Sequence, residues 1–447
     1  TSTQGQLRLT YNQAPGGIGS ATPLKITGGV FNHNSGTLYA DGKKNGTNFA
    51  YNMDVPFDQA FYNFTLDNTY NRIGYFRIIG GGQIRVLNNL KFSTTAGNVG
   101  ATFDTGTIVH EGPKIISDRA DYAYQIGHGD GLVKIAGSSN QKFETLNNGY
   151  FPRLQYDSPG NSLSPEVGTT ELNAISLDIQ NGNFVGPNTI SLGKTNFYGE
   201  VPFQISATGD FDETAVNEFN LVGASNGSNK TNSISIAEDV YIPTLNITGI
   251  DASGGTRTTF HTFSGVGKFN VTNQLNITSS ALDKEAINGN LYVQGHINID
   301  GVSTSGTGTI TLNGGGDQNF TQINGGGFDH IIVDKLGGEV VQQTAVSIGA
   351  KNLTIVNGDW EMNNFDFTTT GTVDVGDGIG AASTARILKG CSTITAGTQN
   401  VSPTDGEIVV SGSNPNVTIS NESVTEGGAL VFDVNLSEAV CGGNFTV

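Results

Sequence analysis

The sequence predicts an all-β chain built as a right-handed parallel β-helix, or solenoid, of repeated coils, and three observations predict it. Gly accounts for 63 of 447 residues and Pro for only 12, about twice the usual share of Gly and less than the usual share of Pro. Asn, Thr, Ser and Gly surround short alternating runs of Val, Ile, Leu and Phe, the composition of a turn-rich strand protein. The segment Leu353-Thr-Ile-Val-Asn-Gly-Asp-Trp360 recurs as Leu177-Asp-Ile-Gln-Asn-Gly-Asn-Phe184 and, more distantly, as Leu24-Lys-Ile-Thr-Gly-Gly-Val-Phe31. Finally, two long blocks keep register. Gln141 and Gln318 are 177 residues apart (318 − 141), and Leu177 and Leu353 are 176 apart (353 − 177).

Each copy of the first motif carries two branched apolar residues alternating with polar ones, as in a strand with one buried face. An Asn-Gly or Gly-Gly corner follows and needs positive φ, which Gly adopts at little cost. An aromatic residue then opens the next strand. A second motif has an aromatic, two variable residues, an apolar residue, one variable, an apolar residue and Asp. It occurs as Phe61-Tyr-Asn-Phe-Thr-Leu-Asp67, Phe151-Pro-Arg-Leu-Gln-Tyr-Asp157 and Phe328-Asp-His-Ile-Ile-Val-Asp334. In the two later copies it is preceded by Gly137-Ser-Ser-Asn-Gln-Lys-Phe143 and Gly314-Gly-Gly-Asp-Gln-Asn-Phe320. Related blocks therefore cover about 24–103, 131–195 and 307–375 within a solenoid region of 1–380. Shorter strand cores lie between them, at Phe219-Asn-Leu-Val222, Leu245-Asn-Ile-Thr248, Leu275-Asn-Ile-Thr278, Leu291-Tyr-Val293 and His296-Ile-Asn-Ile299.

The only stretch with helix formers, Ala281-Leu-Asp-Lys-Glu-Ala-Ile287, is too short for a stable helix and reads as a loop. Coils of about 25 residues would stack at the strand spacing of about 4.8 Å. Composition shifts near Gly376-Asp-Gly-Ile-Gly380, and 381–413 reads as a connector. Residues 414–447 show a different, strict β-alternation.

Lys and Arg number 22 against 40 Asp and Glu, for a formal net charge of −18. Nucleic acid is excluded as a partner, because phosphate contacts need clustered cations and no basic run exceeds Lys43-Lys44. The acidic, Asn/Thr-rich composition suits an extracellular protein. Two cysteines exclude a disulfide scaffold and a Cys-rich zinc site, although Cys391 and Cys441 could pair. No apolar run approaches a membrane span. The chain opens at Thr1 without a signal pattern and stops on a strand-like Asn444-Phe-Thr-Val447, as a processed chain or a fragment would.

The stretch Val424-Thr-Glu-Gly-Gly428, Leu430-Val-Phe-Asp-Val-Asn-Leu-Ser437 and Glu438-Ala-Val440 resembles the opening of a Calx-β domain, an immunoglobulin-like sandwich. It covers about the first third of such a domain. The resemblance implies Glu426 as a calcium ligand, in a site whose other acids are not within 414–447. The blocks around Leu177 and Leu353 look like the Gly/Asn-rich repeats of giant Bacteroidota cell-surface proteins carried by the type IX secretion system. Repeats followed by immunoglobulin-like modules are similar in layout to the SprB-type gliding-motility adhesins. The resemblance implies a bacterial cell-surface location, an outer-membrane secretion, anchoring or motility machinery as partner, and a surface polysaccharide or other substratum as ligand.

Candidate sites read mostly as architecture. His33, His110, His128, His261, His296 and His330 show no HxxxH or HExxH spacing, so zinc is not indicated, and His330 occupies an outward strand position. Asp374-Val-Gly-Asp377, Asp210-Phe-Asp-Glu213 and His128-Gly-Asp130 could offer oxygens to calcium but lack EF-hand spacing and read as turns. The recurring Asp67, Asp157 and Asp334 are expected to close turns on neighbouring backbone N–H groups. Phe31, Phe61, Phe151, Phe184, Phe328 and Trp360 are expected to stack inside the coils. Asn-x-Thr at Asn63, Asn246, Asn270, Asn276, Asn319, Asn352 and Asn416 follows from the strand period itself, before any glycosylation.

No catalytic or cofactor residue is assigned, and calcium is the one ion considered. The leading expectation is an adhesive surface protein working through many weak contacts. The alternatives are a β-helix polysaccharide lyase or glycoside hydrolase, and a passive spacer. Acids converging with Arg or Lys in one groove would favour the enzyme. Grooves lined by Asn, Thr and Gly would favour the adhesin.

Overall fold

A computed structural model describes residues 5–10, 19–41, 49–68, 74–94, 101–118, 131–193, 201–224, 229–250, 257–279, 283–301, 306–324, 329–376, 385–388, 392, 394–402, 405–411 and 429–433. The chain is all-β, a parallel β-solenoid of about 12 turns, and no helix occurs among the described residues. Consequently no helix long and apolar enough to cross a membrane is found there. Two compact units are present: Thr1–Asn226 with Ser233–Glu238, and Gly227–Asn232 with Asp239–Val447.

In the first unit, Leu132–Ile135 pairs in parallel with Arg153–Pro165, which pairs with Leu177–Val185, which pairs with Phe203–Asp212. The chain returns to the same ladder after 21 residues between Leu132 and Arg153, and after 26 between Leu177 and Phe203. The expected coil of about 25 residues is therefore met. In the second unit, Thr309–Leu312, His330–Gln342 and Leu353–Glu361 form the matching ladder. Parallel strands buried along one face keep a period of two, so Leu177, Ile179 and Phe184 point inward with 0% exposure, as do Leu353, Ile355 and Trp360 at 0–1%.

The corner glycines behave as required. Gly182 and Gly358 have φ of +90° and +86°, so Leu177–Val185 and Leu353–Glu361 each bend within one element. A side chain could not replace them, because a Cβ on Gly182 would lie 2.4 Å from the Ser158 carbonyl oxygen, and one on Gly358 would lie 2.9 Å from the Lys335 Cβ. The Leu24 copy keeps the positive φ at Gly29 (+79°), but its strand ends at Lys25. Its corner is held instead by Gln59, whose Oε1 accepts from Phe31 N at 3.0 Å and whose Nε2 donates to Gly29 O at 3.2 Å.

The aromatics stack from coil to coil: Phe143 on Phe184 at 5.8 Å, Phe184 on Phe211 at 6.0 Å, Phe320 on Trp360 at 5.4 Å and Phe31 on Phe61 at 5.0 Å. Phe151 is also buried, whereas Phe328 lies outside the described residues.

Two expectations are corrected. The described part of the 281–287 stretch is not a loop, since Asp283–Val293 is a strand paired with Arg257–Gly265. Its Ala286 and Ile287 are buried, and in-register pairing outweighs helix propensity there. The 381–413 connector continues the ladder: Ala385–Leu388 pairs with Leu353–Glu361, Thr398–Val401 with Thr372–Val375, and Gly406–Ser411 with Ala385–Leu388. Within 414–447, the described strand Ala429–Asp433 pairs in parallel with Gly406–Ser411.

Candidate functional site

The repeated Gln of the two long blocks is a lock between coils. Gln141 and Gln318 are 0% and 1% exposed. Gln318 Oε1 accepts from Gly314 N at 3.1 Å, and its Nε2 donates to Val293 O at 2.9 Å and Gly295 O at 2.6 Å. Gln141 repeats the arrangement on Gly137 N at 3.0 Å, Gly112 O at 2.6 Å and His110 O at 3.4 Å. Gly295 O and Gly112 O gain a donor this way, while Val293 O and His110 O also accept from Asn313 N and Ala136 N.

Outside this lock, the first unit carries an open groove of about 610 Å³ lined by Asn140, Pro159, Gly160, Asn161, Ser162, Asn181, Gly182, Asn183, Thr208 and Asp210. Strand register explains it. Ser162 N donates to Asn140 Oδ1 at 3.0 Å, Ser162 pairs with Asn183, and Asn183 pairs with Asp210. One polar column thus crosses four coils. A second runs Asp157, Asn181, Thr208, with Asn181 Nδ2 donating to Asp157 Oδ1 at 2.6 Å. Between the columns lie Gly182 and Gly209, paired with each other. A Cβ on Gly209 would meet Ile179 O at 2.3 Å, so the floor carries no side chains. The result is a trough with a backbone floor and amide, hydroxyl and carboxylate walls.

No Lys or Arg lines this trough. Several of the scarce cations are held in coil-to-coil ion pairs: Arg85–Glu111 at 2.7 Å, Lys91–Asp118 at 2.8 Å, Lys114–Glu144 at 2.8 Å, Lys134–Asp157 at 2.6 Å and Arg386–Asp359 at 2.6 Å. The Lys134 and Asn181 hydrogen bonds hold the Asp157 carboxyl below the usual range.

The recurring aspartates are structural, but they bond side chains of the adjacent coil rather than backbone N–H groups. Asp334 Oδ1 accepts from Asn357 Nδ2 at 2.7 Å, as Asp157 does from Asn181, and Asp67 accepts from the Tyr39 hydroxyl. Similar ladders use the Asn-x-Thr asparagines, with Asn276 Nδ2 donating to Asn246 Oδ1 at 2.8 Å. His330 is half-buried, its Nδ1 accepting from Asn352 N at 3.1 Å. Asp374 accepts from Asn400 at 2.7 Å, and Asp212 Oδ1 accepts from Thr214 N at 3.1 Å in a turn. No group of three metal-ligating side chains occurs among the described residues. Glu426, Cys391, Cys441, Asp377, His128, Asp130 and Asn416 lie outside them.

Three buried ionisable positions were not anticipated as such. His261 Nε2 contacts Glu285 Oε2, both side chains being 0% exposed. Lys335 donates to Gly314 O at 2.8 Å, Gly316 O at 2.7 Å and Gln318 Oε1 at 2.7 Å, and burial pulls its ammonium down to about 8. Asp329 Oδ2 accepts from Ile287 N at 3.0 Å, and burial pushes its carboxyl up to about 7. All three are sealed inside the coils and face no groove, so none meets a ligand from solvent.

His110 is the clearest acid-sensitive point. It stands in register between Val86 and Ile135, is fully buried, and neither ring nitrogen has a partner. Burial lowers its pKa from 6.5 to about 4. Between these values the unfolded chain binds a proton that the folded one does not, so stability is complete above pH 6.5 and falls as the pH drops. The loss at pH 4 is about 3 kcal/mol. His110→Val is expected to remove that loss, which denaturant titrations at pH 7 and pH 4 will read as a smaller gap between the two pH values.

Sequence reading identified Asn140 and Asn181 within motifs and Asp210 as a possible calcium ligand, but not the columns they belong to. The 177-residue offset, carried past Asp157 and Asp334 into 159–165 and 336–342, was the signal that leads to them. No family model matches the chain, and no curated protein or solved structure does.

Proposed function

We propose that this chain is part of an extracellular bacterial adhesin or stalk that attaches to surfaces or glycans. Under this reading the solenoid is followed by a Calx-β-like module, and the protein belongs with the type IX-secreted gliding-motility adhesins of Bacteroidota. The observation that carries it is the Asn-, Thr- and Gly-lined trough of the first unit, which lacks Lys and Arg. A hydrolase needs two carboxylates a few ångströms apart across a scissile bond, and a lyase needs a base beside a cation or metal. The trough offers one lining carboxylate, Asp210, since Asp157 at the end of the second column lies outside the lining and is tied to Lys134 and Asn181, and it offers amides. The His261–Glu285 pair does not favour an enzyme, because at 0% exposure no polymer reaches it.

Mass uptake of the purified chain on polysaccharide-coated and bare sensors tests the proposal, with reducing ends assayed in the same samples. Saturable uptake without new reducing ends or unsaturated products is expected. Turnover would establish the enzyme instead, and uptake on no surface would leave a passive spacer.

A further inference from the structure

The two long blocks place different chemistry on the same trough. Offsets of 177 and 176 residues carry Asn140, Ser162, Asn183 and Asp210 onto Asp317, Glu339, Asp359 and Arg386. The second unit reproduces the register. Glu339 N donates to Asp317 Oδ1 at 3.1 Å, as Ser162 N does to Asn140, and Glu339 pairs with Asp359, which pairs with Arg386. Gly358 matches Gly182 at the floor, with φ of +86° against +90°. The backbone frame is therefore common, and the column side chains differ.

In the second unit the column satisfies itself. Arg386 holds Asp359 through two hydrogen bonds of 2.7 and 2.6 Å. In the first unit the column is amide and hydroxyl, and Asn183 Oδ1 is a buried acceptor without a hydrogen-bond partner.

We infer that the trough of the first unit is a binding site for a neutral, hydroxyl-rich oligosaccharide lying across the coils over Gly182 and Gly209. This rests on the adhesive reading and narrows it to one site and one ligand class. Asn140 and Asn161 line the trough with amides able to pair with sugar hydroxyls, and Ser162 and Thr208 add hydroxyls. Columns one coil apart repeat every ~4.8 Å, close to the length of one hexopyranose residue in an extended chain, so each coil meets one sugar. A uronate or sulfated polymer would find no cation lining the trough and would face Asp210. The bare glycine floor lets a ring approach the backbone closely.

The test uses the whole chain with neutral gluco-, manno-, galacto- and N-acetylglucosamine oligosaccharides and with oligogalacturonate, followed by saturation-transfer NMR and calorimetry. At least one neutral series should bind, more tightly as the oligomer lengthens to span the four coils. Oligogalacturonate should bind roughly tenfold more weakly or not at all, one factor of ten in Kd. The quadruple variant N140D/S162E/N183D/D210R installs the column that the second unit already folds with. It should keep the thermal midpoint and lose roughly tenfold or more in neutral-sugar affinity. Asn183→Ala, a milder change, should weaken binding in the same direction.

Binding of no neutral oligomer, equal binding of the anionic one, or unaltered binding by both folded variants would each overturn the inference. Surface uptake that persists in the quadruple variant would sink this site while leaving the adhesive reading intact. Uptake absent from the unaltered chain would remove both.

Discussion

Gln318→Leu is expected to destabilise the second unit by about 4 kcal/mol, whereas the equivalent Gln141→Leu in the first should cost about 3 kcal/mol. Both substitutions keep the side-chain volume near that of Gln and remove the lock. Each strands a glycine N–H and a glycine carbonyl of the preceding coil, Gly314 N and Gly295 O in one case, Gly137 N and Gly112 O in the other, and removes the second donor from Val293 O and His110 O, which keep Asn313 N and Ala136 N. The difference comes from Lys335. Its buried ammonium uses Gln318 Oε1 as one of three acceptors, so removing that oxygen leaves a buried charge short of a partner. In a Lys335→Met background the extra cost of Gln318→Leu should vanish. Urea unfolding of the four proteins in the cycle reads the coupling directly, about 1 kcal/mol. Equal costs at Gln141 and Gln318 would show that Lys335 does not depend on the lock.

The first block shows why Lys335 is tolerated in only one copy. At its place stands Ser158, whose hydroxyl donates to Gly137 O, the counterpart of the Gly314 carbonyl that Lys335 caps. Two residues earlier Tyr156 replaces Val333, and both are fully buried. A large ring with a short hydroxyl occupies the same interior as a small branched residue with a long ammonium. The copies have thus diverged by compensated exchange, as close packing demands when one partner of a buried pair changes size. Trough and interior follow the same rule: four column residues change together, and at the floor Gly358 keeps the place of Gly182 while Ala385 replaces Gly209.

Period two was enough to place Leu177, Ile179, Leu353 and Ile355 inward, because a parallel ladder leaves each strand one face for the core. The Asn-Gly corners were legible for a similar reason, since few residues other than Gly adopt φ near +90°. What was not legible depends on residues about one coil away. Gln141 and Gln318 stand in polar segments that mark the repeat but give no sign of burial, yet carbonyls 23 to 31 positions earlier draw them inward. Asp157 and Asp334 read as turn closers, but their partners Asn181 and Asn357 arrive 24 and 23 residues later. The trough has no local motif at all. Asn140, Ser162, Asn183 and Asp210 meet only because coils of differing length return to one register. Residues 381–413 read as a connector because composition shifts near Gly376–Gly380, although Ala385, Ile387, Val401 and Ile408, among the described residues, are buried in the ladder.

Trp360→Ala should be among the costliest single changes in the second unit, about 5 kcal/mol. The ring is fully buried between Phe320 at 5.4 Å and Phe367 at 5.7 Å, and Nε1 donates to Gln342 Oε1 at 3.1 Å. Truncation empties a cavity in a stack that neighbouring coils hold apart, and it leaves the Gln342 carbonyl oxygen unpaired. Trp360→Phe separates the two contributions. It restores the residue type found at Phe184 in the first block, so most of the packing survives, and the remaining cost of about 2 kcal/mol belongs to Gln342. The first block supports that division, because Pro165 stands where the second has Gln342 and offers no side-chain acceptor. Adding Gln342→Leu to Trp360→Phe should therefore recover about 1 kcal/mol, even though Gln342→Leu alone destabilises by stranding Trp360 Nε1; the Asp366 carbonyl that Gln342 Nε2 reaches at 2.8 Å keeps Val346 N at 2.9 Å. Chemical denaturation followed by tryptophan fluorescence for Gln342→Leu, and by circular dichroism for every variant that loses the indole ring, gives each value. A double variant no more stable than Trp360→Phe would place the whole loss in packing and none in the indole–amide pair.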